Sequence, residues 1–387
     1  MNVKELAKKY KQYAIDLRRE FHMNPEPSMK EIRTSDRIIE ELKNMKIDCK
    51  RVAGTGVVGI IKGNCKGRTV ALRADIDALE VTEANEIDYK SKVDGLMHAC
   101  GHDAHAAGLL AAAKILNDMK DELNGTVKLF FQPGEETAKG AKKMIEEGVM
   151  EGVDGIFGIH IWNDTDVGKV SVEAGPRMAS AGIYKINVAG RGGHGSMPHQ
   201  GVDALLVGSA IVMNLQSLVS REISPLDPAV ISVGIFNSGT RFNVIAGEAY
   251  LEGTTRCFSM EVNDSFEEMI TRVAENTAEG YRATAQVDYE QLVIPTINDP
   301  KMSAIAEGAV EKISGKDALI TYEKTTGGED FSFFTQKAPG AFALVGSKNE
   351  RKLQHFPHHH PRFDIDEDAL ETASALYAQF AVDFLNK

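Results

Sequence analysis

Three imidazoles, a thiol and a carboxylate fall within the run His98-Ala99-Cys100-Gly101-His102-Asp103-Ala104-His105. Cys and His are the soft and borderline ligands of transition metals, and Asp completes or orients such sites. Cys100 and His102 stand two apart around Gly101, which permits the turn that brings both side chains to one point. The run by itself fits two chemistries. One is a metal centre; the other is a Cys100 nucleophile with His102 as its base.

Three further segments carry metal-type ligands: the pair Glu135-Glu136, His160, and His355-Phe356-Pro357-His358-His359-His360 before Pro361. Each alone has an ordinary explanation. His160 reads as a buried strand histidine, the glutamates as helix-start charges, and the tract as a flexible loop. Together they weigh more, because each follows a predicted strand or lies in a loop that can return to the same sheet. Five or six ligands exceed what one tetrahedral ion needs. They suit two ions sharing a bridge, roughly 3.5–4 Å apart as in two-metal hydrolases. One glutamate then binds metal. Its neighbour stays outside the coordination shell, takes a proton from the activated water and returns it to a leaving amine.

The elements that must position these residues follow from hydropathy. Val3, Leu6, Ala7, Tyr10, Ala14, Leu17 and Phe21 predict a first amphipathic helix, stopped before Asn24-Pro25. A second is expected over 28–44. Residues 57–61, 69–73, 126–131 and 155–160 read as strands, and the second runs into Asp75 and Asp77. Carboxylates at a strand's C-terminal end lie where open α/β sheets place their sites. A helix over 106–116 is apolar nearly all round and so buried. This alternation predicts a layered α/β domain with a mostly parallel sheet.

The pattern changes near Ala181. Strand 182–188, helix 202–219, strands 229–236 and 248–256, helix 262–281 and strand 283–292 give β-α-β-β-α-β, a ferredoxin-like arrangement. Residues 181–294 are therefore read as an inserted domain, with 1–180 and 295–387 forming the domain that carries the ligands.

The 387 residues are 43% hydrophobic and 26% charged, ordinary for a globular chain, and the net charge of −12 without a basic tract argues against nucleic acid. The four cysteines show no framework spacing and read as reduced thiols. The opening residues lack the apolar core of a signal peptide, and no apolar run approaches the roughly 18 residues of a spanning helix. A cytoplasmic protein without a membrane partner is expected.

Seven ordered motifs carry a resemblance. They are Arg73-Ala-Asp-Ile-Asp-Ala-Leu79, Met97-His-Ala-Cys-Gly-His-Asp103, Gln132-Pro-Gly-Glu-Glu136, Gly158-Ile-His160, Gly190-Arg-Gly-Gly-His-Gly-Ser-Met-Pro-His199, Gly327-Gly-Glu-Asp-Phe331 and His359-His-Pro-Arg-Phe363. Together they resemble the M20 metallopeptidase family, in its aminoacylase-like amidohydrolase branch of N-acyl-amino-acid, hippurate and auxin-conjugate hydrolases. The resemblance implies a zinc-peptidase-like α/β domain with a mostly parallel mixed sheet, interrupted by a ferredoxin-like lid that dimerises.

Residue by residue, it implies Cys100, His102, Glu136, His160 and His359 as ligands of two divalent ions, with Cys100 bridging. Zn or Mn suits the set best, and Co or Ni can serve. His355, His358 and His360 compete for the last place. Glu135 would be the general acid/base on a bridging water. Asp75 and Asp77 would orient a ligand or water from behind, unless they are plain strand-end charges, and Asp103 would cap the following helix. In the insert, His194 would bond the oxyanion, often in the partner subunit's site. Asn243 and Arg256 would hold a substrate carboxylate.

The implied reaction is hydrolysis of an N-acyl amino acid, a small molecule, to a carboxylate and a free amino acid, by a homodimer joined through the lid. A dipeptidase or carboxypeptidase on the same core is the alternative within enzymes. A Cys100 nucleophile would leave Glu136, His160 and His359 without work. A non-catalytic metal-binding module would not need the second glutamate.

Overall fold

The computed structural model describes residues 2–386. The chain opens with α1 (Val3–His22), α2 (Ile32–Asn44), β1 (Asp48–Val52), β2 (Gly56–Lys62), β3 (Arg68–Asp75) and α3 (His102–Asp118). It continues with β4 (Gly125–Gln132), α4 (Gly140–Glu146), β5 (Gly155–Asp166), β6 (Val170–Ser171) and β7 (Gly175–Met178). Then come β8 (Ala181–Ala189), β9 (Gly193–His194), α5 (Ala204–Ser217), β10 (Ala229–Ser238), β11 (Val244–Ile245), β12 (Glu248–Cys257), α6 (Met260–Gly280) and β13 (Thr284–Val293). The chain closes with β14 (Thr296–Asn298), α7 (Pro300–Ser314), α8 (Ser332–Thr335), β15 (Gly340–Lys348) and α9 (Ala369–Leu385).

Two compact units result. One holds the chain up to Gly175, Ile297–Glu323 and everything from Asp330 onward; the other holds Pro176–Thr296 and Lys324–Glu329. The first unit is built on a seven-stranded sheet in the order β1-β2-β4-β3-β5-β15-β6. β4, β3, β5 and β15 pair in parallel, while β1 with β2, β2 with β4 and β6 with β15 pair antiparallel. The sheet is thus mixed, and less parallel than expected. Three residues, Ala53 to Thr55, join β1 to β2, and a turn that short allows only antiparallel pairing. The long crossover through α3 makes β3 and β4 parallel.

α3 packs on β3 and against α1 and α9. It is buried along nearly its whole length, leaving only Lys114, Asn117 and Asp118 outside the core, as a helix with almost no polar face must be. α1 starts where the Asn2 side chain accepts the Lys4 N–H, and it buries Val3, Leu6, Ala7, Ala14, Leu17 and Phe21. α2 begins at Ile32 rather than near residue 28. Met29 holds φ +65, so residues 27–30 form a turn closed by Lys30 N–H to the Pro27 carbonyl, 3.0 Å.

In the second unit the order is β8-α5-β10-β12-α6-β13, and the four strands lie as β10-β12-β8-β13 with every neighbour antiparallel. α5 and α6 bury Val207, Ile211, Phe266 and Ile270 over Tyr184, Ile186 and Leu251 of the sheet. This unit extends beyond residues 181–294. The Ala179 N–H bonds the carbonyls of Thr325 and Gly327 (3.1 and 3.0 Å), which draws Lys324–Glu329 into it. Residues Ala204–Glu222 are long and apolar enough to cross a membrane by composition alone. That helix nevertheless rests on the sheet, with Leu205, Leu206 and Met213 exposed on its outer side.

Candidate metal centre

The site forms where β3, the loop before α3, the end of β4, β5 and the segment before α9 come together in the first unit. Gly101 takes φ +92 at the start of α3, a conformation that favours glycine, and so turns Cys100 and His102 toward one centre. After β4 the chain turns again at Gly134, φ +59. A Cβ there would lie 2.4 Å from the Met29 sulfur.

Three overlapping groups have ligand atoms within 4.8 Å of one another: Cys100–His102–His160, Cys100–Glu136–His359 and His102–Glu135–Glu136. Cys100 belongs to two of them, and its Sγ lies 3.5 Å from His160 Nε2. His160 donates from Nδ1 to the Ile161 carbonyl at 2.7 Å, which leaves its Nε2 lone pair directed at the site. Burial, reinforced by His105 and His358, holds this imidazole neutral, well below its ordinary pKa.

His102 donates from Nδ1 to Asp77, at 3.0 Å to the carbonyl and 3.2 Å to the carboxylate. Its Nε2 is buried without a hydrogen-bond partner, 3.9 Å from Glu136 Oε1 and 4.0 Å from Glu135 Oε2. Glu136 Oε1 is likewise buried and unpartnered. Burial pushes the Glu136 carboxyl up to about 7, with Asp77 and Asp75 adding to it against His102. Burial opposes a charge on His102, yet Asp75 and Cys100 raise its pKa well above the ordinary value. Divalent cations fit this donor set: a thiol, the free Nε2 of His160, and the orphaned His102 Nε2 and Glu136 Oε1, 3.9 Å apart.

Asp77 organises the centre. Besides His102, its carboxylate accepts the backbone N–H of Glu135 (3.2 Å) and of Glu136 (3.1 Å) and the Ser28 hydroxyl (2.6 Å). Asp75 is held by His105 Nδ1 at 2.5 Å and Arg73 Nη1 at 2.8 Å. His105 Nε2 in turn accepts the Ile161 N–H at 2.7 Å, so both its nitrogens are committed and it acts as a brace.

Among the four C-terminal imidazoles, His359 is the one that joins a ligand group among the described residues. Its Nε2 is 3.6 Å from Glu136 Oε1, and its backbone N–H donates to the Ala99 carbonyl at 2.8 Å. His355 faces Asp164, His358 packs between Trp162 and Phe363, and His360 stacks on Phe356. Asp103 does not cap α3, which begins one residue earlier. Its carboxylate instead meets Arg18 and His22, each at 2.8 Å.

In the second unit, His194 lies on β9, paired with Val244 of β11 beside Asn243, and its Nδ1 accepts from the Ser196 hydroxyl at 2.8 Å. Arg256 sits at the far end of β12, bonded to Thr254 and the Thr255 carbonyl. Glu248 and Arg256 are eight residue steps apart along β12, roughly 26 Å at ~3.3 Å per residue. His194 and Asn243 thus share one end of the unit and Arg256 stands at the other.

Sequence reasoning missed Glu31, which is fully buried. It accepts the N–H of Gly134 and of Met29, each at 2.8 Å, and the Thr55 hydroxyl, so it fixes the turn that carries Glu135 and Glu136. A glutamate at a helix start carries no signal of that role. Arg73 and Asp330 lie inside recognised motifs, which were the available signal. Together with Gln132 they form a buried network behind Asp75.

A mixed sheet whose strand ends deliver thiol, imidazole and carboxylate donors to one buried centre is the architecture of a metal-dependent hydrolase. Residues 71–383 match the model of peptidase family M20/M25/M40. Thermostable carboxypeptidase 2 of Saccharolobus solfataricus is 40% identical over 390 residues, covering 100% of this chain and 98% of the relative. N-acetylcysteine deacetylase of Bacillus subtilis is 40% identical over 370 residues, 95% and 96% of the two chains. The crystal structure of the YXEP protein of Bacillus subtilis, described as a dinuclear metal binding peptidase from the M20 family, superposes with a TM-score of 0.87 at 36% identity, covering 98% of this chain and 99% of that one. The protein belongs to peptidase family M20 and is a hydrolase of amide bonds.

Proposed function

We propose that the protein is an amidohydrolase that cleaves N-acyl-L-amino acids to a carboxylate and a free amino acid. The observation that carries this reading is the placement of the two adjacent glutamates by Asp77. One carboxylate fixes both their backbone N–H groups and the ring of His102, so Glu135 and Glu136 face the same donors in different relations. In this reading Cys100, His102, Glu136, His160 and His359 would hold two divalent ions, Zn or Mn foremost. When bound, such ions supply charge that polarises an acyl carbonyl and acidifies a water.

Glu135 would act as the general base that accepts a proton from the attacking water and as the acid that delivers it to the departing nitrogen. His194 donates to the oxyanion, and Asn243 and Arg256 hold the substrate carboxylate. Asp75 and Asp77 keep their imidazole neighbours in the required orientation. Burial, with Glu136 beside it, pushes the Cys100 thiol well above its ordinary pKa, which argues against an unaided nucleophile.

The second unit reads as a ferredoxin-like lid through which two copies associate. β10 is an edge strand with Val230, Ile235 and Phe236 exposed, next to the exposed Leu205, Leu206 and Met213 of α5. Edges and apolar patches of this kind call for a cover. The separation of His194 and Asn243 from Arg256 supports the same conclusion, because one small substrate cannot span it; exchange between two subunits resolves this. Leu206→Glu combined with Met213→Glu is expected to convert a dimer to a monomer in analytical ultracentrifugation. A wild-type protein that sediments as a monomer at micromolar concentration would end this part of the proposal.

The similarity to a carboxypeptidase favours one competing substrate class, peptides with a free C-terminus. A panel of N-acetyl and N-benzoyl amino acids beside dipeptides, with Zn, Mn or Co restored to chelated protein, separates the two. Higher kcat/KM on N-acyl amino acids is expected, with all turnover abolished by the chelator. Preference for dipeptides would reverse the assignment.

A further inference from the structure

The segments that carry Cys100 with His102 and that carry His359 lie far apart in the chain, yet one side chain from α1 ties them together. Arg18 is fully buried. Its Nε donates to Asp103 Oδ2 at 2.8 Å and its Nη2 to Asp364 Oδ1 at 2.7 Å, while Nη1 lies 3.5 Å from Glu367 Oε1. Asp103 directly follows His102, and Asp364 lies just beyond His359 and Pro361. Tyr89 closes the arrangement. The guanidinium lies 4.9 Å from its ring centre, and its hydroxyl donates to the other oxygen of Asp364 at 2.8 Å. His22 Nδ1 meets the same Asp103 oxygen that Arg18 holds, at 2.8 Å.

Cohesion alone does not require this arrangement. A buried ion pair seldom adds net stability over apolar groups of equal volume, because desolvation offsets the Coulomb attraction. What a planar guanidinium adds is direction: donors in a rigid fork hold two carboxylates at a set separation and angle. The imidazole of His359 is half exposed, on a backbone in the left-handed region at φ +66. Its location is set by main-chain ties, His359 N–H to Ala99 and Ala84 N–H to the Pro361 carbonyl at 2.8 Å each, and by the anchoring of Asp364.

We propose that Arg18 is a positioning residue for the metal centre, setting the register between the Cys100/His102 segment and the His359 segment. It thereby governs affinity for the cation taken by Cys100, Glu136 and His359. The proposal rests on the reading of those three residues as ligands.

The test is titration of chelator-stripped protein with Mn or Zn against a competing indicator, in wild type, Arg18→Lys and Asp364→Asn. Lysine keeps the charge but cannot fork to two carboxylates; asparagine leaves the Arg18–Asp103 pair in place. Each folded variant, judged by far-ultraviolet circular dichroism and by the emission of Trp162, should bind one of the two cations about tenfold or more weakly. The other cation should shift by less than about threefold. General loosening would lower the melting temperature without separating the two affinities.

Both cations binding within threefold of wild type in a folded Asp364→Asn protein would overturn the proposal, whether or not Arg18→Lys folds. A wild-type protein that takes up no cation at all would instead sink the ligand assignment, and the role of Arg18 with it. The two failures are therefore distinct.

Discussion

Glu135→Gln is expected to lower kcat on an N-acyl amino acid by ~10²–10⁴-fold, the span that a positioned general acid/base contributes, while metal content stays near wild type. The reasoning is geometric. The backbone of Glu135 is fixed by Asp77, and its carboxylate lies beside His102 at the edge of the ligand groups. The amide is nearly isosteric and keeps this packing, but it cannot accept and return a proton. Glu136→Gln should behave in the opposite way. Its Oε1 stands between His102 and His359 with no hydrogen-bond partner of its own, so the substitution should release metal. Elemental analysis beside steady-state kinetics reads both quantities. Metal loss from Glu135→Gln with turnover unharmed would exchange the roles of the two glutamates.

The sequence disclosed the candidate donors better than their supports. Cys100, His102, Glu135, Glu136, His160 and His359 stood out because their residue types are scarce together and fall at strand ends or in loops. Periodicity located α1 and the hydrophobic strands for the same reason, since burial on one face leaves a pattern. β1 escaped notice because Asp48-Cys49-Lys50-Arg51-Val52 is a polar edge strand, held by its pairing to β2 more than by burial. That pairing also made the sheet less parallel than the alternation of strands and helices suggested.

Glu31 and Arg18 escaped for a different reason. Their partners, Gly134 and Asp103, lie 103 and 85 residues away. A lone charge on an amphipathic helix looks solvated until that distant partner is placed. Lys324–Glu329 joined the second unit through backbone hydrogen bonds, which side-chain patterning does not encode.

Arg73→Met should destabilise the first unit by about 3–5 kcal/mol, the usual cost of removing one partner from a buried charge network. Arg73 is fully buried on β3, bonding Asp75 at 2.8 Å, Asp330 at 2.9 Å and Gln132 at 2.8 Å. Methionine fills comparable volume, so the loss is electrostatic, with two buried carboxylates left to rely on weaker neighbours. Burial alone would raise the Asp75 pKa, but His102, His105 and Arg73 together hold it well below the usual carboxylate range. A depressed carboxylate stabilises the fold above its unfolded pKa of about 4 and ceases to as pH falls through the folded value. The gap between wild type and variant should therefore be full at neutral pH and narrow only in acid, below roughly pH 4. Trp162 is the single tryptophan and lies on β5 in the same unit as Arg73, so its fluorescence in a urea titration of metal-free protein reports this unit. A midpoint unchanged at pH 7 would mean that Asp75 and Asp330 find other counter-charges, and that the network behind the metal site is not held together by Arg73.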